Sequence, residues 1–178
     1  MKKIKIILII ISVFVFAFLA TGIVIKETSY AAEVSIDKPI EMVFNEFNKH
    51  ENFKKWIPEI KSYEVVNENF GKTGSVYNII VENQNQEIKM VQRILAYVPN
   101  EKVTFYFDAE NMLKKDDYVF TEKNGITTIS LNSSCNSKTY IMSCMLPYFK
   151  GKLERQSQVY LDNFKEFLKK QKLLENSF

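Results

Sequence analysis

The chain is poor in the side chains that build metal and nucleophile sites: its 178 residues hold one histidine, His50, and two cysteines, Cys135 and Cys144. One imidazole without cysteines or carboxylates at ligand spacing makes no zinc site. No Ser-His-Asp or Cys-His arrangement can be assembled except around His50, which we read as a solvated loop residue. Five glycines and four prolines are too few for a Gly- or Pro-rich linker. With no internal repeat or low-complexity tract, nothing marks a second soluble domain. Gly71-Lys72-Thr73-Gly74 is too short for a phosphate-binding loop and precedes a strand pattern rather than a helix, so it is a turn. The residues call for no metal and no cofactor.

Charge of one sign is also scarce. Three of the 24 Lys and Arg residues are Lys2, Lys3 and Lys5, so from Lys26 onward 21 basic residues balance 21 acidic ones. A neutral domain without a basic stripe argues against nucleic acid, whose binding needs clustered phosphate contacts. No polybasic segment follows the apolar run that would address anionic lipid head groups. The two cysteines can pair in an oxidising compartment; the plainer reading, which we favour, is two small half-buried apolar residues.

What the chain does have is an apolar run from Ile6 to Ile25, interrupted only by Ser12, Thr21 and Gly22 and by no charge. As a helix these 20 residues span ~30 Å, the hydrocarbon thickness of a bilayer. The basic flank precedes the run while Lys26 and Glu27 cancel beyond it, which places the N-terminus in the cytoplasm and the following domain outside. Secretory signals share the basic start but have shorter apolar cores. The favoured reading is an uncleaved single-pass anchor over residues 1–27. The alternative is a cleaved signal, cut after Ala31 or Ala32, and a secreted domain.

Residues 28–173 read as one domain of roughly 150 residues, enough for a sizeable core, with 174–178 as a tail. Tyr30–Ile36 is a strand. Asp37-Lys38-Pro39 is a helix-start signature, followed by Ile40, Val43, Phe44 and Phe47 at helical spacing. A second helical turn, from His50 to Trp56, ends before Pro58. Strands then follow at Tyr63–Asn67, Ser75–Asn83, Glu87–Val98, Glu101–Asp108, Leu113–Glu122 and Gly125–Ser137, joined by tight turns. Met90, Gln92, Ile94 and Ala96 share one face of their strand; Val103, Phe105 and Phe107 share one face of the next. A long helix, about Pro147–Lys172, carries the stripe Leu153, Tyr160, Leu161, Phe164, Phe167 and Leu168. The fold class is α+β: an antiparallel sheet of about seven strands wrapped round a long C-terminal helix, with two short helices after the first strand.

Several local patterns resemble the START-like (SRPBCC) helix-grip superfamily, in particular its polyketide cyclase/dehydrase and lipid-transport branch. They are Val34-Ser35-Ile36-Asp37-Lys38-Pro39 with Val43-Phe44, then Trp56-Ile57-Pro58, then Gly71–Tyr77. Pro99-Asn100-Glu101-Lys102 and the closing Leu161-Asp162-Asn163-Phe164-Lys165-Glu166-Phe167-Leu168 complete the order, which spans Ala32 to about Lys172. The resemblance implies a cavity between sheet and C-terminal helix that holds hydrophobic molecules, and no particular chemistry.

Within that frame the candidate ligand-binding residues are Tyr77, Met90, Phe105, Phe107, Tyr118, Phe120, Tyr160 and Phe164. Gln92 and Gln156 lie on otherwise apolar faces, where a buried amide needs a partner, and are read either as orienting a polar end of the ligand or as pairing with each other or with water. No residue is assigned a catalytic role. The partner is a hydrophobic, lipid-like small molecule, with the membrane engaged through Ile6–Ile25. Two other readings stay open: a cyclase- or dehydratase-type enzyme using Tyr77 or Tyr118 as proton donor, and a protein-interaction module with a filled cavity. Lys114-Lys115-Asp116-Asp117 is read as a solvated strand edge. The apolar Ser137–Lys150 is read as the start of the helix, with an entrance flap or a membrane-dipping surface as alternatives.

Overall fold

Strict alternation of buried and exposed positions runs through Thr28–Ile36, and this strand, β1, opens a seven-stranded antiparallel sheet in the computed structural model, which describes residues 2–83 and 86–175. The other strands are β2 (Ile60–Asn67), β3 (Val76–Asn83), β4 (Gln86–Val98), β5 (Lys102–Ala109), β6 (Met112–Lys123) and β7 (Ile126–Ser137). Their spatial order is β1-β7-β6-β5-β4-β3-β2, a meander whose last strand returns beside the first. The two-residue turn between β6 and β7 uses Asn124 and Gly125 at φ 53° and 77°, the left-handed region that Asn and Gly tolerate.

Four helices accompany the sheet. α1 is Lys2–Val24; α2 is Ile40–Phe47; α3 is the single turn Phe53–Trp56, preceded by a 3₁₀ turn at His50–Asn52; α4 is Tyr140–Glu175. Val43, Phe44 and Phe47 on α2 and Leu161, Phe164 and Leu168 on α4 meet Ile129, Leu131 and Phe120 from the sheet. Phe47 sits among the rings of Trp56, Tyr118, Phe120 and Phe164, with centroids 4.8–5.3 Å away. Burying each such side chain contributes roughly 1.5–3 kcal/mol. The domain is thus the α+β helix-grip layout, with one apolar helix at its N-terminus.

Element ends shift by a few residues, as where β2 begins at Ile60 rather than Tyr63, and two larger features differ from the sequence reading. α4 begins at Tyr140, with Pro147 inside it rather than at its start. A proline lacks the N–H that would reach back four residues, and here the helix continues through it, so the apolar stretch before Pro147 is helix and not a connection. In β4 the register slips between Ile94 and Ala96. Ala96 therefore opposes outward Thr104, not the inner row, and Tyr97 turns inward to meet Phe44 at 5.3 Å. Of the C-terminal tail assigned to 174–178, residues 176–178 lie outside the described residues.

Candidate functional site

Because opposed residues in an antiparallel ladder share a face, the register dictates what the sheet presents to α4. One inner row reads Tyr77, Gln92, Phe107, Lys114, Cys135 and Thr28. The next reads Ile94, Phe105, Asp116, Ser133 and Tyr30. Polar groups are thereby placed in the middle of an aromatic surface.

Lys114 and Asp116 form the centre. Lys114 Nζ lies 2.8 Å from the Asp116 carboxylate, which also accepts from the Ser133 hydroxyl at 2.5 Å. The ammonium stands over the rings of Tyr30 and Phe107, 5.8 and 5.9 Å from their centroids. Burial works against this charge, but the Asp116 carboxylate outweighs it and holds the ammonium well above the usual lysine range. Burial likewise pushes the Tyr30 and Tyr118 phenols up, with Asp116 adding to the effect, so both stay protonated at neutral pH. Two atoms on this inner face are buried with no hydrogen-bond partner: the Tyr30 hydroxyl, in the row of Asp116, and Gln92 Oε1, two strands from Lys114 in the same row. An orphaned buried acceptor or donor costs ~1–3 kcal/mol unless something fills its valence.

The solvated-edge reading of residues 114–117 is therefore corrected. β6 lies inside the sheet, and alternation sends Lys114 and Asp116 inward while Lys115 and Asp117 face out. Asp117 is the surface partner, accepting from Thr104 Oγ1 at 2.6 Å and Lys102 at 3.0 Å.

At the end of the sheet nearest the β2–β3 turn, a cleft of about 30 Å³ is lined by Asn48, His50, Tyr63, Tyr77, Tyr97 and Phe105, among others. That is the room of one water. His50 stacks on Tyr63, with centroids 5.4 Å apart and planes at 11°. The Tyr77 hydroxyl donates to Glu68 Oε1 at 3.2 Å, and Glu68 is also paired with Lys72. Burial raises the Tyr77 pKa. His50 is thus part of a polar mouth, against the expectation of a solvated loop; nothing in its sequence neighbourhood signals Tyr63, 13 positions on.

The remaining candidates separate. Phe120 and Phe164 belong to the closed aromatic core. Tyr118, Phe107, Met90 and Tyr160 are half-buried against it. Gln156 lies exposed on α4 and donates to the Tyr160 hydroxyl at 2.7 Å, so it does not meet Gln92. A larger hollow of about 310 Å³ lies on the outer face of β2–β5, where Asn78, Ile80, Lys89, Val91 and Asp108 point away from α4. Cys135 and Cys144 are both buried free thiols. Among the described residues no three His, Cys, Asp or Glu side chains converge as metal ligands.

A curved antiparallel sheet gripping a C-terminal helix, with short helices crossing after the first strand, is the START-like helix-grip fold, and the chain has it. It is similar to a START superfamily protein from Mycobacterium smegmatis (TM-score 0.66, 15% identity, covering 79% of this chain and 98% of that one). It is also similar to Ara h 8.0201 (0.62, 15%, 79% and 97%). The Zhui aromatase/cyclase from Streptomyces sp. R1128 is a third (0.61, 10%, 77% and 93%). At these identities the likeness is one of fold. No family model and no curated protein matches the chain.

Proposed function

We propose that the protein is a membrane-tethered domain that binds or transfers a hydrophobic, lipid-like molecule on the inner face of its sheet. The observation that carries this is the polar island of Lys114, Asp116, Ser133 and Tyr30 set among Phe105, Phe107 and Tyr118, with Gln92 Oε1 unpartnered across Phe107 on the same face. An amphiphile matches such a surface: its chain lies on the rings and its polar end meets the orphaned groups. Tyr77 extends the lining toward the mouth and Tyr160 extends it on α4, Met90 continues it toward the opposite end of the sheet, and Phe120 and Phe164 form its floor. Gln156 acts at one remove, by holding the Tyr160 hydroxyl. A lipid-sized guest needs several hundred Å³, so loading requires half-buried Tyr118, Phe107 and Tyr160 to move apart.

The tether is α1, whose Lys3–Val24 stretch has a mean hydropathy of 3.0 and is long and apolar enough to cross a membrane. We read it as an uncleaved anchor, N-terminus inside and domain outside. Cleavage after Ala31 or Ala32 would cut β1 in its middle, where Ala31 and Ala32 pair with Asn132 and Leu131.

A second reading is favoured by the mouth, where Tyr77, Glu68, Lys72 and His50 bring protonated and charged groups to one cleft. These could serve a cyclase- or dehydratase-type proton transfer, with Tyr77 as donor.

Native mass spectrometry of the detergent-extracted full-length protein, with lipid extraction, tests the binding reading. A bound species of defined mass, lost in Phe107→Asp, supports it. A clean apo mass from the intact protein, together with no uptake of added lipid, overturns it in favour of a filled core that serves as an interaction module.

A further inference from the structure

α1 does not leave the domain as a free stalk. Its last two turns pack on the first turns of α4: the Tyr140 hydroxyl donates to the Leu19 carbonyl at 2.5 Å, and the Thr21 hydroxyl to the Cys144 carbonyl at 3.1 Å. Phe18 stacks on Tyr148 with centroids 6.1 Å apart, and Gly22 lies so close that a Cβ there would meet Cys144 Sγ at 2.6 Å. The face of α4 next to this contact is apolar and bare. Tyr140, Ile141, Tyr148 and Phe149 are all exposed, whereas Met142, Leu146 and Leu153 turn the other way onto Tyr30 and Cys135.

The register of the two helices fixes the depth of this face. Phe18–Gly22 precede Val24 by two to six residues, which at ~1.5 Å per residue puts the contact ~3–9 Å below the end of the span. Rings held there are at the boundary between head groups and acyl chains. Charge agrees. From Ser137 to Leu153 the chain has no acid, and although Lys138 is paired with Asp108, Lys150 and Lys152 follow the apolar face with long stems that can carry their charges to head-group level.

We infer that the first three turns of α4 are a second membrane contact, with Ile141, Tyr148 and Phe149 inserted into the outer leaflet beside α1 and the lysines at phosphate level. This rests on reading α1 as a retained span. It makes the domain a body fixed against the bilayer, with the Thr28, Cys135 and Met112 end of the sheet toward the lipid and the β2–β3 turn away from it.

The test is depth-dependent quenching. Full-length Ile141→Trp and Tyr148→Trp variants are reconstituted in vesicles of phosphatidylcholine and phosphatidylglycerol, with or without lipid brominated near the head-group end of its chains. Phe70→Trp, fully exposed on the β2–β3 turn, is the reference, and buried Trp56 is the background common to all. The added emission at 141 and 148 should fall several-fold more on bromination than that at 70. Quenching no greater than at position 70, in vesicle-bound protein whose intact mass includes α1, overturns the inference and leaves the tether standing. A mature mass lacking α1 overturns the tether, and the inference with it.

Discussion

The Lys114 ammonium and the Asp116 carboxylate, 2.8 Å apart, face the same way from β6 because they are two residues apart on one strand. The pair sits on the inner face, next to Phe105 and Phe107, where the buried Asp116 carboxylate has no water to turn to once its partner is removed.

Removing one partner should therefore cost far more than removing both. Lys114→Met leaves Asp116 uncompensated and is expected to lower unfolding free energy by ~3–5 kcal/mol. Lys114→Met combined with Asp116→Leu should recover much of that loss. Urea denaturation followed by Trp56 emission measures both. A single variant within about 1 kcal/mol of wild type, the range of exposed pairs, would show that the pair is solvated after all.

The same pair gives stability an alkaline limit. The folded-state pKa of Lys114 is raised above the unfolded value, so its contribution is complete below about pH 10.4 and is lost as pH climbs toward the folded pKa. Tyr30 and Tyr118, kept neutral by burial, act in the same direction from about pH 10. Unfolding free energy should fall steeply above that pH. Up to the folded pKa, wild type should lose ~1.4 kcal/mol per pH unit more than Lys114→Met, the linkage of one proton. Equal slopes would mean that Lys114 titrates as it does in the unfolded chain.

These two residues also show where sequence reasoning stops. Alternation correctly carried Phe105, Phe107, Tyr118 and Phe120 to one side, and the same rule places Lys114 and Asp116 with them. In sequence they nevertheless resemble an edge, because buried charges are rare and whether β6 is an edge or an interior strand is a tertiary fact. The meander and the long helix were legible because periods of two and 3.6 persist over many residues. The slip between Ile94 and Ala96 was not, since nothing in Ile94-Leu95-Ala96-Tyr97 announces a bulge. His50 gained its role only by stacking on a strand it does not adjoin in sequence.

Gln92 separates stability from function. Its Oε1 is buried and unpartnered, so Gln92→Leu, similar in volume, should leave the ligand-free protein unchanged or stabilise it by up to about 2 kcal/mol. If the amide receives the polar end of a ligand, the same variant should co-purify with several-fold less lipid. Thermal melts and lipid extraction of the same preparation read the two effects. A destabilised variant that keeps its lipid would assign Gln92 to an ordinary structural network.

The contact between Gly22 and Cys144 makes the attachment of α1 testable with one thiol reagent. A Cβ at position 22 would fall 2.6 Å from Cys144 Sγ and 3.2 Å from its backbone nitrogen. The sulfur can rotate, but the backbone of a packed helix cannot, so Gly22→Val should push the two helices apart. Cys144, fully buried in the wild type, should then react with N-ethylmaleimide at least several-fold faster in the full-length protein. Cys135 is the control within the same molecule: it lies against Tyr30 and Leu146 on the inner face of the sheet, and burial raises its thiol pKa, which slows attack. Peptide mass spectrometry assigns the label to each site. Selective labelling of Cys144 in Gly22→Val establishes that α1 and α4 are in tight contact in the intact protein. Equal inertness of both thiols would mean that α1 can shift without opening the domain, and the membrane depth assigned to Tyr148 would lose its reference.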